Sequence, residues 1–444
     1  MNPLSPTTSS TTVPNAPSAS TVERMTFFRQ SGWMAVAVVV GGVGNMAANV
    51  IAQRMPEGQF NIFATALSAL GILGIPALGM QASFAAQAAG AESEERRREL
   101  TATMRGAMGI LGILWLLLAG WWLLCERQIM AAYNLTQPAM LWILLSILLV
   151  TLLTPIPLGT LQGRQDFLVF GWCTLLNGLG RFVVLFAVVR GLRAGALGGL
   201  IGVLAGSALV LGIAVWQTRS LLAGPRGVFA WRLWLRRLIP VTVGLGALSF
   251  IMQADAIVVR EKLQPLLTPN EIDGYSAVRT IGQALVFVIG ALTAVMFPKV
   301  ARSFQRTEKT DVLKLTLLIT AIIGIVGATA ATLFPSVPLT LLSPARLIQS
   351  RSLVPAYCWA LAPMALASVM IWSLLARECY RVVPWLAVLA AGYWIALQAF
   401  HDRLITVIAV TGAFGVLLLA VCGLFLWLDG RKPKAQAEGP APTL

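Results

Sequence analysis

Three charged side chains lie inside apolar stretches, and any chemistry this chain performs starts with them. They are Arg181 in LLNGLGRFVVLF, Asp255 in MQADAIVV and Arg279 in YSAVRTIGQALVF. A charge in hydrocarbon is expensive, so such residues face a cavity or a partner. Asp255 shortly precedes Arg260 at the exit of its stretch, and Arg279 shortly follows Gly274 at the entry of the next. The two therefore stand at matching depth on consecutive antiparallel helices, and all three charges fall in the outer half of the protein. One expectation is an Asp255–Arg279 ion pair that locks two helices together. The other is a cationic wall made by Arg181 and Arg279, since a guanidinium presents a fork of donors suited to phosphate oxygens. On that second reading Asp255 either releases an arginine as the cavity changes state or binds a coupling proton or sodium ion.

Amides accompany the charges. Asn177 and Arg181 share one helix face, as do Arg279 and Gln283, because residues four apart in a helix are neighbours. The expected substrate contacts are thus Arg181, Arg279, Asn177 and Gln283. Asp255, Asn45 and Asn49 are expected to couple an ion or to pair helices. No catalytic or metal-binding set emerges. His401 is the single histidine, in the turn AFHDRL, and the five cysteines are widely spaced and read as small apolar packing residues. No phosphate-cradling Gly loop ending in Lys–Ser/Thr occurs. The expectation is a non-enzyme without cofactor, driven by an H+ or Na+ gradient, a cargo gradient or a partner.

The elements that must hold these residues are membrane helices. The chain is 57% hydrophobic and only 11% charged, and a membrane span needs about 20 mostly apolar residues. Such stretches fall near 31–53, 60–89, 105–125, 138–160, 167–189, 193–216, 238–259, 275–298, 312–334, 353–375, 382–400 and 404–428. Backbone in lipid must satisfy its own hydrogen bonds, so they form an all-α bundle. A disordered tail over 1–22, a six-helix unit over 23–216, an interfacial linker over 217–237, a second six-helix unit over 238–430 and a tail over 431–444 complete the expected organisation. The net charge of +15 does not point to nucleic acid. Its arginines cluster in alternate loops (Arg96–Arg98, Arg232–Arg237, Lys299–Arg306), as the positive-inside rule requires of cytoplasmic loops facing membrane lipids. Both termini are then cytoplasmic.

The second half reads as a diverged copy of the first. NMAANVIAQRMPEGQF in the first half corresponds to IMQADAIVVREKLQPLLTPNEIDGY in the second. Asn49 then matches Asp255, Arg54 matches Arg260 and Gly58 matches Gly274. Six spans per copy give both copies the same orientation, as parallel repeats about an axis along the membrane normal.

These hairpins, with Asp255, Gly274, Tyr275, the Phe297–Pro298 pair and Gln162–Gly163 in LLTPIPLGTLQGRQDF, resemble the bacterial oligosaccharide and polysaccharide flippases of the multidrug/oligosaccharidyl-lipid/polysaccharide exporter superfamily. The resemblance implies an integral membrane protein of about twelve helices, in two six-helix bundles forming a V-shaped cavity. It implies a bacterial inner-membrane flippase for a polyprenyl-phosphate-linked glycan, feeding polysaccharide or lipopolysaccharide export beside a glycan polymerase or glycosyltransferase. Arg181 and Arg279 would contact phosphate or acidic sugar. Two alternatives stand beside it: a cation-coupled exporter of drugs or organic cations, and a non-transporting scaffold of a polysaccharide export machine.

Overall fold

The computed structural model describes residues 19–52, 63, 74–125, 138–187, 195–224, 227–263, 266–305, 312–342 and 350–430. Both outermost tails, and Arg54 and Gly58 of the expected repeat, lie outside the described residues. Among the described residues every regular element is a helix. The first half holds α1 (Ala19–Ala52), α2 (Gly74–Ala89), α3 (Glu94–Leu124), α4 (Pro138–Leu153), α5 (Pro155–Gly163), α6 (Phe167–Phe186) and α7 (Ala196–Leu222). The second holds α8 (Trp231–Val258), α9 (Pro269–Gln305), α10 (Val312–Leu333), α11 (Ser336–Leu342), α12 (Leu353–Ala376), α13 (Val383–Ala399) and α14 (Leu404–Gly430). Ten of the described spans are long and apolar enough to cross a membrane, with α4 and α5 making one; α1 contributes a shorter apolar core, Gly32–Asn45. This is a multi-pass membrane architecture, and its outward faces carry apolar side chains such as Leu117, Leu124, Trp216 and Ile395.

Local chemistry sets the helix boundaries. Pro155 lacks an N–H and separates α4 from α5 within one span. Asp166 caps α6 by accepting from the Val169 N–H. At α9, Thr268 donates its backbone N–H and its hydroxyl to Glu271, at 2.9 and 2.8 Å. These bonds hold the exposed Glu271 carboxyl below its ordinary range, and Pro269 opens the helix behind them. Two boundaries differ from expectation. The first helix already begins at Ala19, and the segment 217–237 is not a separate interfacial helix. Instead α7 runs on to Leu222 and α8 starts at Trp231, so Pro240 lies inside α8 and the arginines before it extend that helix beyond its apolar core.

The two halves pack alike. Helices α1–α6, α2–α5, α4–α7 and α6–α7 meet in the first half, and α8–α13, α9–α12, α12–α14 and α13–α14 meet in the second. Between the halves, α1 packs on α9 and α8 on α2. Each contact becomes the other when α1 is mapped onto α8 and α2 onto α9, as a two-fold axis between like bundles requires. The turns after α5 and α12 repeat the relation. Gln165 and Glu378, at φ 63° and 54°, are the only described non-glycine residues with positive φ. Asp166 N–H bonds to Leu161 O at 3.0 Å and Gln165 N–H to Gln162 O at 3.1 Å; Cys379 bonds to Leu374 and Glu378 to Leu375, at 2.9 and 3.1 Å. Both turns are Schellman caps.

Among the described residues, the apolar core that the bundles share lies at one end. At the basic end, Met34, Ala82, Ala85, Phe167 and Phe170 of the first half share a core with Val241, Leu245, Met296 and Phe297 of the second. Gln162 donates to the Ala294 carbonyl at 3.0 Å, and Arg302 donates to the Ala89 carbonyl at 3.2 Å. At the opposite end the first half has its own core, including Ala48, Phe63, Leu141, Leu185 and Leu200, with no residue from the second half. This convergence at one end is the layout of a V.

Within the first bundle, α1 and α6 meet backbone to backbone. A Cβ on Gly178 would lie 1.8 Å from the Gly41 carbonyl oxygen, and small residues permit such approach. Gly178→Ala should therefore force the helices apart at about 1–3 kcal/mol, read as a lowered thermal midpoint of the detergent-purified protein. Gly109→Ala, with nothing within 4 Å of its Cβ, should leave the midpoint unchanged.

Candidate functional site

Asp255 is the only buried acid among the described residues, at 1 % exposure. It sits in α8 just before the helix relaxes into a π-turn over Val259–Leu263. Two tyrosines donate to its Oδ2, Tyr275 from α9 and Tyr357 from α12, each at 2.8 Å. Arg279 of α9 reaches its Oδ1 with Nε at 3.3 Å. One carboxylate thus gathers donors from two further helices. The tyrosine rings meet edge to face at 6.0 Å. Gly282 makes room for them, because a Cβ there would lie 2.5 Å from the Tyr357 ring.

Arg279 is held on its other side as well. Its Nη2 donates to the Met252 carbonyl at 3.0 Å and to Gln253 Oε1. Gln283 donates to the same Met252 carbonyl at 3.3 Å. Gln253, Ser276 and Thr280 are exposed nearby. Arg279 is partly exposed while Asp255 is not, so the guanidinium forms the lid between the acid and the outside. Behind the cage, Tyr393 and Thr411 share a hydrogen bond at 2.8 Å.

The other bundle carries the second intramembrane cation. Arg181 lies on α6, and its Nη1 donates to Asn45 Oδ1 of α1 at 3.4 Å. Its Nε is buried without a hydrogen-bond partner. Asn177 is exposed on the same helix. Asn49 lies in α1, with its side chain outside what is described. The structure thus brings Asp255, Arg279 and Gln283 together in the second bundle, and Arg181 with Asn45 in the first. Tyr357 had no signal in the sequence. Tyr275 had one, being four residues before Arg279 and hence on its face. No group of three His, Cys, Asp or Glu side chains suited to a metal occurs among the described residues.

The cage makes a stability prediction. Arg279→Gln leaves a buried carboxylate without its counter-charge, which should cost about 3–5 kcal/mol. Adding Asp255→Asn to that variant should recover much of the lost thermal midpoint. Tyr357→Phe removes one bond to a charged acceptor and should cost about 1.5–3 kcal/mol. Equal midpoints for the single and double variants would exclude the pairing as a stabilising contact.

No protein-family model matches the chain, and neither does any curated protein sequence. Solved structures do. An Asp-to-Asn variant of the Vibrio cholerae MATE transporter VcmN aligns at TM-score 0.75 and 10% identity, over 95% of this chain and 100% of that one. The eukaryotic MATE transporter AtDTX14 aligns at TM-score 0.74 and 13% identity, over 92% and 96%. A multidrug resistance MATE family transporter of the MOP superfamily, in its outward-facing conformation, aligns at TM-score 0.67 and 13% identity, over 93% and 96%. These findings correct the expectation of a polysaccharide flippase serving a polyprenyl-phosphate-linked glycan with polymerase or glycosyltransferase partners. The matching structures are MATE transporters, and the supposed two-arginine phosphate wall is broken because Arg279 is committed to Asp255. Across more than nine tenths of its length, the chain has the fold of the MATE transporters of the MOP superfamily.

Proposed function

We propose that this protein is an alternating-access exporter of amphipathic organic cations, coupled to inward movement of H+ or Na+. It would reside in a bacterial inner membrane with both termini in the cytoplasm. The observation that carries the reading is a buried acid, Asp255, lidded by a partly exposed cation, Arg279, within a fold shared with transporters over almost the whole chain. The positive-inside bias of the basic loops supports a cytoplasmic position for the joined end of the bundles. The separated end, bearing Asp255 and Arg181, then opens outward.

The proposed coupling follows from charge balance. A carboxylate in a low-dielectric site needs one positive partner. Arg279 supplies it in the state described. A proton or sodium ion arriving at Asp255 would release Arg279 from that duty and free its bonds to Met252 and Gln253. The helix carrying Arg279 is α9, which spans from the cage to the joint with α2 at Arg302. A change of partner at Asp255 would thereby be transmitted along one continuous helix to the closed end. On this reading Arg279 is held by Asp255 and is not a substrate contact, and the neutral amides of Asn177 and Gln283 would offer hydrogen bonds to the cargo from the two bundles.

Purified protein in liposomes should move the fluorescent cation ethidium against its gradient when a pH or sodium gradient is imposed. Asp255→Asn should abolish this gradient-driven transport while the protein still folds and inserts. If neither gradient drives ethidium movement above the protein-free background, the reading fails. If Asp255→Asn transports as well as the parent, the coupling role of Asp255 fails.

A further inference from the structure

The basic end holds a second concentration of charge that the transport reading does not use. A cavity of about 520 Å³ is lined by Arg97, Arg164, Arg302, Glu92, Ser220 and the apolar Leu100, among others. Three guanidiniums face one carboxylate, an excess of two positive charges. A neighbouring cavity of about 240 Å³ has Arg96 and Arg237 against Glu99 and Glu378, so its charges balance, and Arg237 lies 4.0 Å from Glu378. The excess is therefore specific to the first cavity rather than a general property of the basic face.

The arginines of that cavity are placed to bind rather than to brace. Arg164 is exposed, and its side chain makes no hydrogen bond or ion pair among the described residues. Arg97 spends only its Nε, on the Ala91 carbonyl at 3.3 Å. Arg302 uses Nε for both of its contacts, the Ala89 carbonyl at 3.2 Å and Glu92 at 3.6 Å. The forked terminal nitrogens of all three make no hydrogen bond or ion pair among the described residues, and such forks suit phosphate oxygens. Arg97 and Arg164 belong to the first bundle and Arg302 to the second. Ser220 adds a hydroxyl, and Leu100 and Leu221 give one wall an apolar surface.

We infer that this cavity is a binding site for a phosphate-bearing anion, which bridges the two bundles at the basic end and holds that end closed. The chemistry is shared by two sources, the phosphodiester of an anionic lipid headgroup and free inorganic phosphate. The site's position in the basic loops, where anionic lipid concentrates, and its apolar wall suit the first. Neither ethidium transport nor the Asp255 cage enters this argument.

The test uses the full chain. It is placed in nanodiscs of phosphatidylcholine alone or with phosphatidylglycerol, and separately in detergent with inorganic phosphate or chloride at matched ionic strength. Phosphatidylglycerol should raise the thermal midpoint by several degrees. It should also slow backbone hydrogen exchange over both 88–92 and 299–305, one segment from each bundle. Arg164→Gln should lose at least half of that increment without a change in phosphatidylcholine alone. Arg236→Gln, an exposed arginine outside the cavity, should keep it. A response to inorganic phosphate that Arg164→Gln abolishes would support the site with free phosphate as its source. Stabilisation by neither source, or an increment that Arg164→Gln retains in full or Arg236→Gln loses equally, would overturn the inference.

Discussion

A carboxylate cannot be left alone inside a membrane, and the architecture of the second bundle follows from satisfying Asp255. Its two oxygens call for donors and its charge for a counter-charge. The donors come from α9 and α12, while the acid itself stands on α8. Two consecutive helices and a third distant in sequence are thereby fixed in rotation and in depth. Lipid offers little hydrophobic force to drive helices together, so polar bonds and close contact must specify the arrangement. In the first bundle close contact takes part in the same task, with Gly178 against Gly41 and Arg181–Asn45 as a polar link toward the separated end. The two bundles therefore share a layout but hold it by different means.

That difference bears on motion. The bundles share apolar core at the basic end, while the first bundle keeps a core of its own at the other. The cross-bundle polar contacts at the joined end include one amide to a carbonyl and one arginine to a carbonyl and a carboxylate. Such contacts can be exchanged for equivalents without unfolding either bundle. The internal cores, by contrast, would be lost at large cost. Rigid bundles about an exchangeable joint are the physical requirement for rocking between two arrangements.

Much of this was legible in the sequence because depth and periodicity are local. Asp255 and Arg279 could be paired from their distances to the ends of adjoining stretches, and Gln283 placed on the same face by helix geometry. The parallel repeat could be read from the hairpin beginning at Asn45 and its counterpart ending near Gly274. Tyr357 could not be found, because its contact with Asp255 joins residues 102 apart and an isolated tyrosine in an apolar helix has no periodic signature. The paired turns at Gln165 and Glu378 were hidden for another reason. Neither carries the glycine that usually marks a left-handed cap, so the conformation is imposed by the bonds around it. The glycan cargo came from the resemblance of the hairpins rather than from the charges, which left the ion pair and the phosphate wall both open. A guanidinium has the same composition whether it waits for a phosphate or is held by a carboxylate, and the contact of Arg279 with Asp255 separates the two.

The asymmetry between Asn49 and Asp255 gives the proposed mechanism its direction. Two like bundles related by a two-fold axis offer two equivalent places for a coupling ion, yet only the second carries an acid at that depth. In the first bundle, Asn45 meets Arg181 with a neutral amide that cannot cancel its charge. In the second, Asp255 cancels Arg279. Loading a proton or sodium ion at Asp255 would then leave both bundles with an uncompensated arginine facing the cleft. Two like charges across a narrowing cleft repel, more strongly as water is expelled. On the proposed reading, an ion-loaded protein therefore resists closing at the separated end while Arg279 points inward. Closure requires Arg279 to turn toward the headgroups, away from the cleft, and the charge state of one acid sets which end of the protein can shut.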